Sequence, residues 1–182
     1  MNDPKLPKAV FGLMLFAMAI VLMATPLYKF AINDLTWLPA LFMLFGGLAL
    51  GAATTMEKRN QTALHACMYL LLSIVMFANK MFLDPAFFLT LAMAEGAFAV
   101  LNGLKLKKAN DTLWAPVAGV GALTILLGFI AALVVNEKYY AGKGFEAKMI
   151  FEGVVLMLAG IANILPAVNS LSNTKVSITI NK

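Results

Sequence analysis

Apolar residues fill this chain in long blocks, and charge, proline and turn residues are confined to the short intervals between them. Windows of about 20 residues match the helix length that crosses a hydrocarbon core about 30 Å thick. They place six spans, at Lys8–Tyr28, Leu35–Thr55, Thr62–Met81, Pro85–Leu104, Leu113–Val135 and Ala147–Ser170. Little lies outside these spans, and no linker is long enough to hold a water-soluble domain. The expected fold is an all-α membrane protein of six transmembrane helices, forming a single domain over residues 1–171. A polar tail, 172–182, follows. Lys5 and Lys8 precede the first block as in a signal peptide, but the block is too long for one and no small-residue cleavage site follows, so it reads as a retained helix.

The outer turns expected at Lys29–Asp34, Phe82–Asp84 and Asn136–Glu146 divide the helices into three hairpins, about 8–55, 62–104 and 113–170. An even number of spans per unit keeps every hairpin in one orientation, so the repeats are parallel, related by an axis along the membrane normal. Small residues seven apart support the division: Gly12/Ala19, Gly46/Ala53, Ala66/Ser73, Gly96/Gly103, Gly121/Gly128 and Gly153/Gly160. Seven residues return a helix almost to one face, so each pair forms a smooth stripe where another backbone can approach. Gly46, Gly96, Gly103, Gly121, Gly128, Gly153 and Gly160 are the expected helix-packing positions. The tail alternates Val176, Ile178 and Ile180 with polar residues, a pattern that suits an added strand or a disordered terminus.

The chain is 62% hydrophobic and 13% charged, more apolar surface than a soluble domain of 182 residues could bury. Its net charge of +5 is distributed as a topology signal. Nine basic residues, including Lys58, Arg59, Lys105, Lys107 and Lys108, fall on one side of the spans and five on the other. Both termini are therefore expected in the cytoplasm. The basic loops suit contact with anionic lipids and not with nucleic acid, which would need a basic face on a polar domain. A lone cysteine, Cys67, excludes an internal disulfide and reads as a small packing residue.

Two glutamates stand inside the apolar blocks. Glu95-Gly96 is followed by Gly103, Glu152-Gly153 by Gly160, and the two copies lie 57 positions apart. A carboxylate at a helix centre costs about 2.5–3.5 kcal/mol on insertion scales, so accepting it twice points to packing or proton handling. Asn102 and Asn163 fall near the same helix faces as Glu95 and Glu152, and these four are the candidate ligand or proton-handling residues. Glu95 reads either as an acid bridging helices or as a proton acceptor. For Glu152 an ion pair with Lys148 near the interface competes with a deep position, decided by whether the sixth helix starts near Ala147 or Gly142. Phe45 holds the corresponding place in the first hairpin, so a threefold carboxylate ring is absent. His65, the chain's one histidine, reads as a capping or interfacial group near the start of the third span. One histidine and one cysteine supply no obvious metal or haem site, and no phosphate-binding glycine loop or nucleophile elbow is present. No cofactor, metal or enzymatic activity is expected.

Phe45-Gly46-Gly47 through Gly51, Glu95-Gly96 through Gly103 and Glu152-Gly153 through Gly160, with Gly12 and Pro26 in the first hairpin, resemble the HdeD family of small bacterial inner-membrane proteins. The likeness runs roughly from Lys8 to Leu171. It implies a multi-pass protein of the bacterial inner membrane, N-in and C-in, that supports acid resistance and stress tolerance. The resemblance carries no catalytic residues. The long loop before the sixth span and the polar tail depart from the family pattern. Two other functions fit the residues: a small transporter or proton-conducting protein using Glu95 and Glu152, and an accessory subunit docking through a glycine-lined face. Expected partners are the lipid bilayer and either a second copy of the chain or another membrane protein.

Overall fold

The computed structural model describes residues 5–28, 37–57, 60–79, 85–134 and 143–180. They form α1 (Lys5–Tyr28), α2 (Trp37–Glu57), α3 (Asn60–Asn79), α4 (Pro85–Lys108), α5 (Trp114–Val134) and α6 (Lys143–Ile180). All six are long and apolar enough to cross a membrane, the helices of a multi-pass integral membrane protein. Each expected span becomes helix because hydrocarbon offers a backbone N–H no partner except a carbonyl of its own helix. The turns at Lys29–Asp34 and Phe82–Asp84, and most of Asn136–Glu146, lie outside the described residues.

Polarity is inverted relative to a water-soluble bundle. Leu13 and Ile20 of α1, Leu64 and Leu71 of α3, and Leu126, Phe129 and Leu133 of α5 face outward. Thr62, His65, Ser73, Glu95, Thr124, Glu152 and Asn163 are buried. Cys67, expected to pack inside, is exposed on the outward side of α3 with Leu64 and Leu71, since one face of that helix is taken by Thr62, His65, Tyr69 and Ser73.

The most extensive helix contacts are α1 with α6, then α4 with α5 and α2 with α3. α3 and α4, consecutive in the chain, barely approach through their backbones. Backbone approach follows glycine. A Cβ on Gly12 would lie 2.6 Å from the Gly160 carbonyl, and one on Gly160 would lie 2.8 Å from the Gly12 carbonyl. Gly96 and Gly121 make the same reciprocal approach between α4 and α5, at 2.8 and 2.7 Å. The other glycines of the set also meet neighbours: Gly46 meets Phe11, Gly103 meets Ala118, Gly128 meets Met93, and Gly153 meets Ala19 and Met23. The reciprocal crossings match Gly96 with Gly160, whereas the sequence repeat aligns Gly96 with Gly153. A shift of two helical turns keeps the same face, so the stripe tolerates it.

One end of the bundle is basic. There α4 closes into α5 through a turn in which Asn110 takes a left-handed conformation (φ 55°) and Asp111 Oδ1 accepts the Leu113 N–H. Lys107 lies over the Trp114 ring, 4.6 Å from its centroid, a cation–π contact at an interfacial aromatic. At the same end α6 continues as helix to Ile180, through the segment whose alternation suggested a strand. A helix bonds its own backbone and needs no partner sheet, and its 38 residues span about 57 Å, more than a bilayer core requires.

The crossings give a contrast between two glycines of neighbouring helices. Gly96→Ala should destabilise the bundle by about 1–3 kcal/mol, because the new methyl meets a backbone carbonyl that cannot step aside. Gly119→Ala, with nothing within 4 Å of its Cβ position, should stay within about 1 kcal/mol of wild type. Unfolding in mixed detergent measures both, and equal effects would refute the crossing as the constraint.

Candidate functional site

The buried polar groups gather at α3, on a stripe of one helix face. Thr62, His65, Tyr69 and Ser73 follow at spacings of three and four residues, which is one side of a helix. Ser73 returns its hydroxyl to the Leu70 carbonyl, a local bond that leaves no open polar group. His65 and Tyr69 reach across to α4 instead. His65 Nε2 lies 2.6 Å from Glu95 Oε1, and the Tyr69 hydroxyl donates to the same oxygen at 2.8 Å. Glu95 is fully buried, and its Oε2 has no hydrogen-bond partner among the described residues.

Aromatic rings wall this cluster. Phe98, one turn beyond Glu95 on α4, stacks on the His65 ring at 4.0 Å and 13°. Phe11 of α1 meets His65 and Tyr69 edge-on, at 5.1 and 4.8 Å. Gly46 of α2 makes room for that ring: a Cβ there would stand 3.1 Å from Phe11 Cδ2. Four helices therefore fix the imidazole, the phenol and the carboxyl. Imidazole and phenol thus share one carboxyl oxygen within an apolar shell.

Polar approach to the cluster comes from the basic end. A narrow crevice lined by Lys8, Gln61, Thr62, His65, Asn102 and Asn163 reaches the imidazole. At its mouth Lys8 pairs with Glu57 Oε1, and Thr62 donates to Glu57 Oε2 at 2.9 Å. Lys105 donates to Gln61 Oε1. Toward the other end Leu15, Met18, Leu22, Met43, Met76, Phe88 and Leu91 pack together, and Glu152 of α6 is buried beside Gly153, which meets Ala19 and Met23.

The structure brings together some of the residues expected from sequence. Glu95 is the centre of the cluster. Asn102 and Asn163, from α4 and α6, meet at the crevice, where Asn163 Nδ2 donates to the Ala159 carbonyl at 3.0 Å. Glu152 is 1% exposed, buried within the bundle on a helix that starts at Lys143. The Lys148 side chain lies outside the described residues. His65, expected as a capping or interfacial group, is a buried partner of Glu95, because α3 starts at Asn60 and carries it a full turn inward. Tyr69 had not been singled out. The i, i+4 spacing of His65 and Tyr69 within an apolar block was the available signal.

Comparison with protein-family models, with curated proteins and with solved structures finds no match to this chain.

Removing partners from Oε1 should have graded effects. Tyr69→Phe should cost about 1–2 kcal/mol, the usual price of one buried hydrogen bond, and His65→Ala should cost more because the Phe98 stack goes with it. The infrared difference between wild type and Glu95→Gln should isolate the Glu95 carboxyl band, and Tyr69→Phe should shift that band. A band unmoved by Tyr69→Phe would refute the bond from the phenol.

Proposed function

We propose that this chain is an HdeD-like integral protein of the bacterial inner membrane, non-enzymatic, which supports acid and envelope stress tolerance. Its six helices run as three parallel hairpins with both termini in the cytoplasm, so the basic end faces inward. Within it, His65, Glu95 and Tyr69 act as a proton-responsive element that reads the cytoplasmic side.

The observation that carries this reading is the pairing of a fully buried carboxyl with an imidazole and a phenol at the end of a polar crevice. Histidine and carboxyl chemistry is the ordinary means by which proteins respond to acid. The crevice that reaches the imidazole opens at the basic end, which favours reversible uptake from that side. Glutamine at position 95 would keep the shape and remove the acid.

A second reading is a small transporter or proton conductor. What favours it is Glu152, a second buried carboxyl on α6, which with Glu95 would give two stations along the bundle. An accessory-subunit role would need a helix-lined docking face, and the glycines assigned to that face meet helices of this chain.

Liposomes with an internal pH dye separate these readings. The expected result for a proton-responsive element is no sustained acidification after an external acid step in wild type, Glu95→Gln or Glu152→Gln. Cells carrying wild type should survive acid challenge better than cells carrying Glu95→Gln at equal expression. Sustained flux that vanishes in Glu95→Gln would replace the first reading with the second, and equal survival would remove the role assigned to the cluster.

A further inference from the structure

The crevice at the basic end brings three buried polar side chains to one place, and each keeps an atom that the protein does not use. Thr62, His65 and Asn163 are each no more than 9% exposed, and all three line the crevice with Asn102. Thr62 gives its hydroxyl proton to Glu57 Oε2, so its oxygen lone pairs remain. Asn163 donates through Nδ2 to the Ala159 carbonyl, one turn back on α6, so its Oδ1 remains. His65 is bonded through Nε2 to Glu95. Its Nδ1 has no hydrogen bond to a described residue and is not enclosed, so it opens on the crevice that touches the ring.

Size and charge decide what those atoms can hold. The crevice has a volume of about 20 Å³, which admits one water molecule and is too small for an oxyanion or an organic ligand. A buried water needs about two to four polar partners, and a set that mixes donors with acceptors suits its two hydrogens and two lone pairs. Asn163 Oδ1 and the Thr62 oxygen accept, and the Asn102 amide does either. The Lys8 ammonium, held by Glu57 at the mouth, donates. A small cation would meet that ammonium in the same space. Phe98 covers one face of the imidazole, so an approaching water meets the ring at its edge.

Granted the proton-responsive reading, on which this rests, we propose that one water molecule sits between His65 Nδ1 and the side-chain amides of Asn102 and Asn163. There it carries protons from the basic end to the imidazole. With Nε2–H donating to Glu95 Oε1, beside the Tyr69 hydroxyl that donates to the same oxygen, the neutral ring carries its lone pair at Nδ1. A hydronium ion arriving at the mouth gives its proton to the bound water as the bound water gives one of its own to Nδ1. An N–H bond forms at Nδ1, the bound water ends as water, and the Glu95 carboxylate on Nε2 faces the new charge. The titratable and charged groups around the ring are Glu95 and Tyr69 at the cluster, with Lys8, Lys105 and Glu57 at the crevice and its mouth. Asn102 and Asn163 are positioning residues, and what they fix is where the water stands.

The chain has one histidine, so nitrogen-15 labelling of histidine rings gives two resonances that belong to His65 alone. Magnetisation transfer from water to each ring nitrogen would be measured by solid-state NMR on the full chain in phosphatidylcholine bilayers, at a pH where the ring is neutral. Wild type should show an unprotonated Nδ1 in contact with water. Asn102→Leu/Asn163→Leu should reduce that contact by at least about fivefold, the occupancy lost with one ordinary hydrogen bond. The Nε2 resonance, set by Glu95, should stay in place in that variant, which shows the cluster intact. If it moves, Asn102→Leu and Asn163→Leu taken singly decide the matter. Asn102→Ser/Asn163→Ser, which returns hydroxyl partners, should recover the contact. No water at Nδ1 in wild type, undiminished contact in the leucine variants, or a neutral ring protonated at Nδ1 would overturn the proposal. Glu95→Gln should keep the water contact. Equal acid survival in Glu95→Gln would then remove the proton role while the water site stands, and loss of the water site would leave a survival phenotype of Glu95→Gln untouched.

Discussion

A carboxyl in the middle of an apolar bundle must find partners, and the arrangement around Glu95 follows from that requirement. The insertion cost of such a group, about 2.5–3.5 kcal/mol, is of the same order as two hydrogen bonds involving a charged partner at about 1.5–3 kcal/mol each. His65 and Tyr69 provide both bonds from one face of α3. Their rings are long, so the backbones of α3 and α4 are held apart where a chain of small residues would have let them close. Phe11 of α1 and Phe98 of α4 pack against the imidazole, and Gly46 of α2 exists without a side chain where the Phe11 ring needs space. Four helices are thus positioned by one oxygen atom and the rings around it.

An adjoining side of α4 obeys a contrasting constraint. Glu95 and Gly96 are adjacent, about 100° apart around the helix. One faces α3 across a layer of rings, and the other touches the Gly121 carbonyl of α5 with no side chain between. Close backbone approach on one face fixes α4 rigidly against α5, so the side-chain layer on the other face is where α4 can adjust. The Gly12–Gly160 crossing anchors α1 to α6 in the same manner. The bundle therefore has tight seams made by glycine, with Gly47 of α2 against the Leu70 backbone of α3 joining the two reciprocal crossings, and a wide seam made by the polar cluster.

The helices were legible because a membrane span is a long apolar run, and the glycine stripes were legible because spacing of seven survives without any knowledge of partners. Which glycines meet was not, since Gly153 and Gly160 share a face and only the crossing with Gly12 selects the second. Glu95 stood out by its cost in hydrocarbon. His65 did not, because a histidine near a helix end has a bland local explanation and its partner lies 30 residues away. Tyr69 was hidden for a related reason: a phenol in an apolar block is unremarkable until its hydroxyl is seen to need an acceptor. The tail, read as an added strand or a disordered terminus, is helix to Ile180: a period of two predicts a strand only where a sheet is available to receive it.

The wide seam explains how a proton could be felt beyond the site that takes it. On the proposed reading, a proton added to the carboxyl–imidazole pair changes the charge and the direction of the bond between His65 and Glu95, and with it the separation that α3 and α4 prefer. The tight seams cannot absorb such a change, because a glycine contact against a carbonyl has no slack in one direction. Adjustment is left to the side of α4 that carries Phe98, Asn102 and Lys105, the residues that line the crevice. On the proposed reading, the acid-responsive chemistry and the cytoplasmic face are joined by one stretch of helix, and the signal passes as a small change in the gap between two helices that side chains alone hold together.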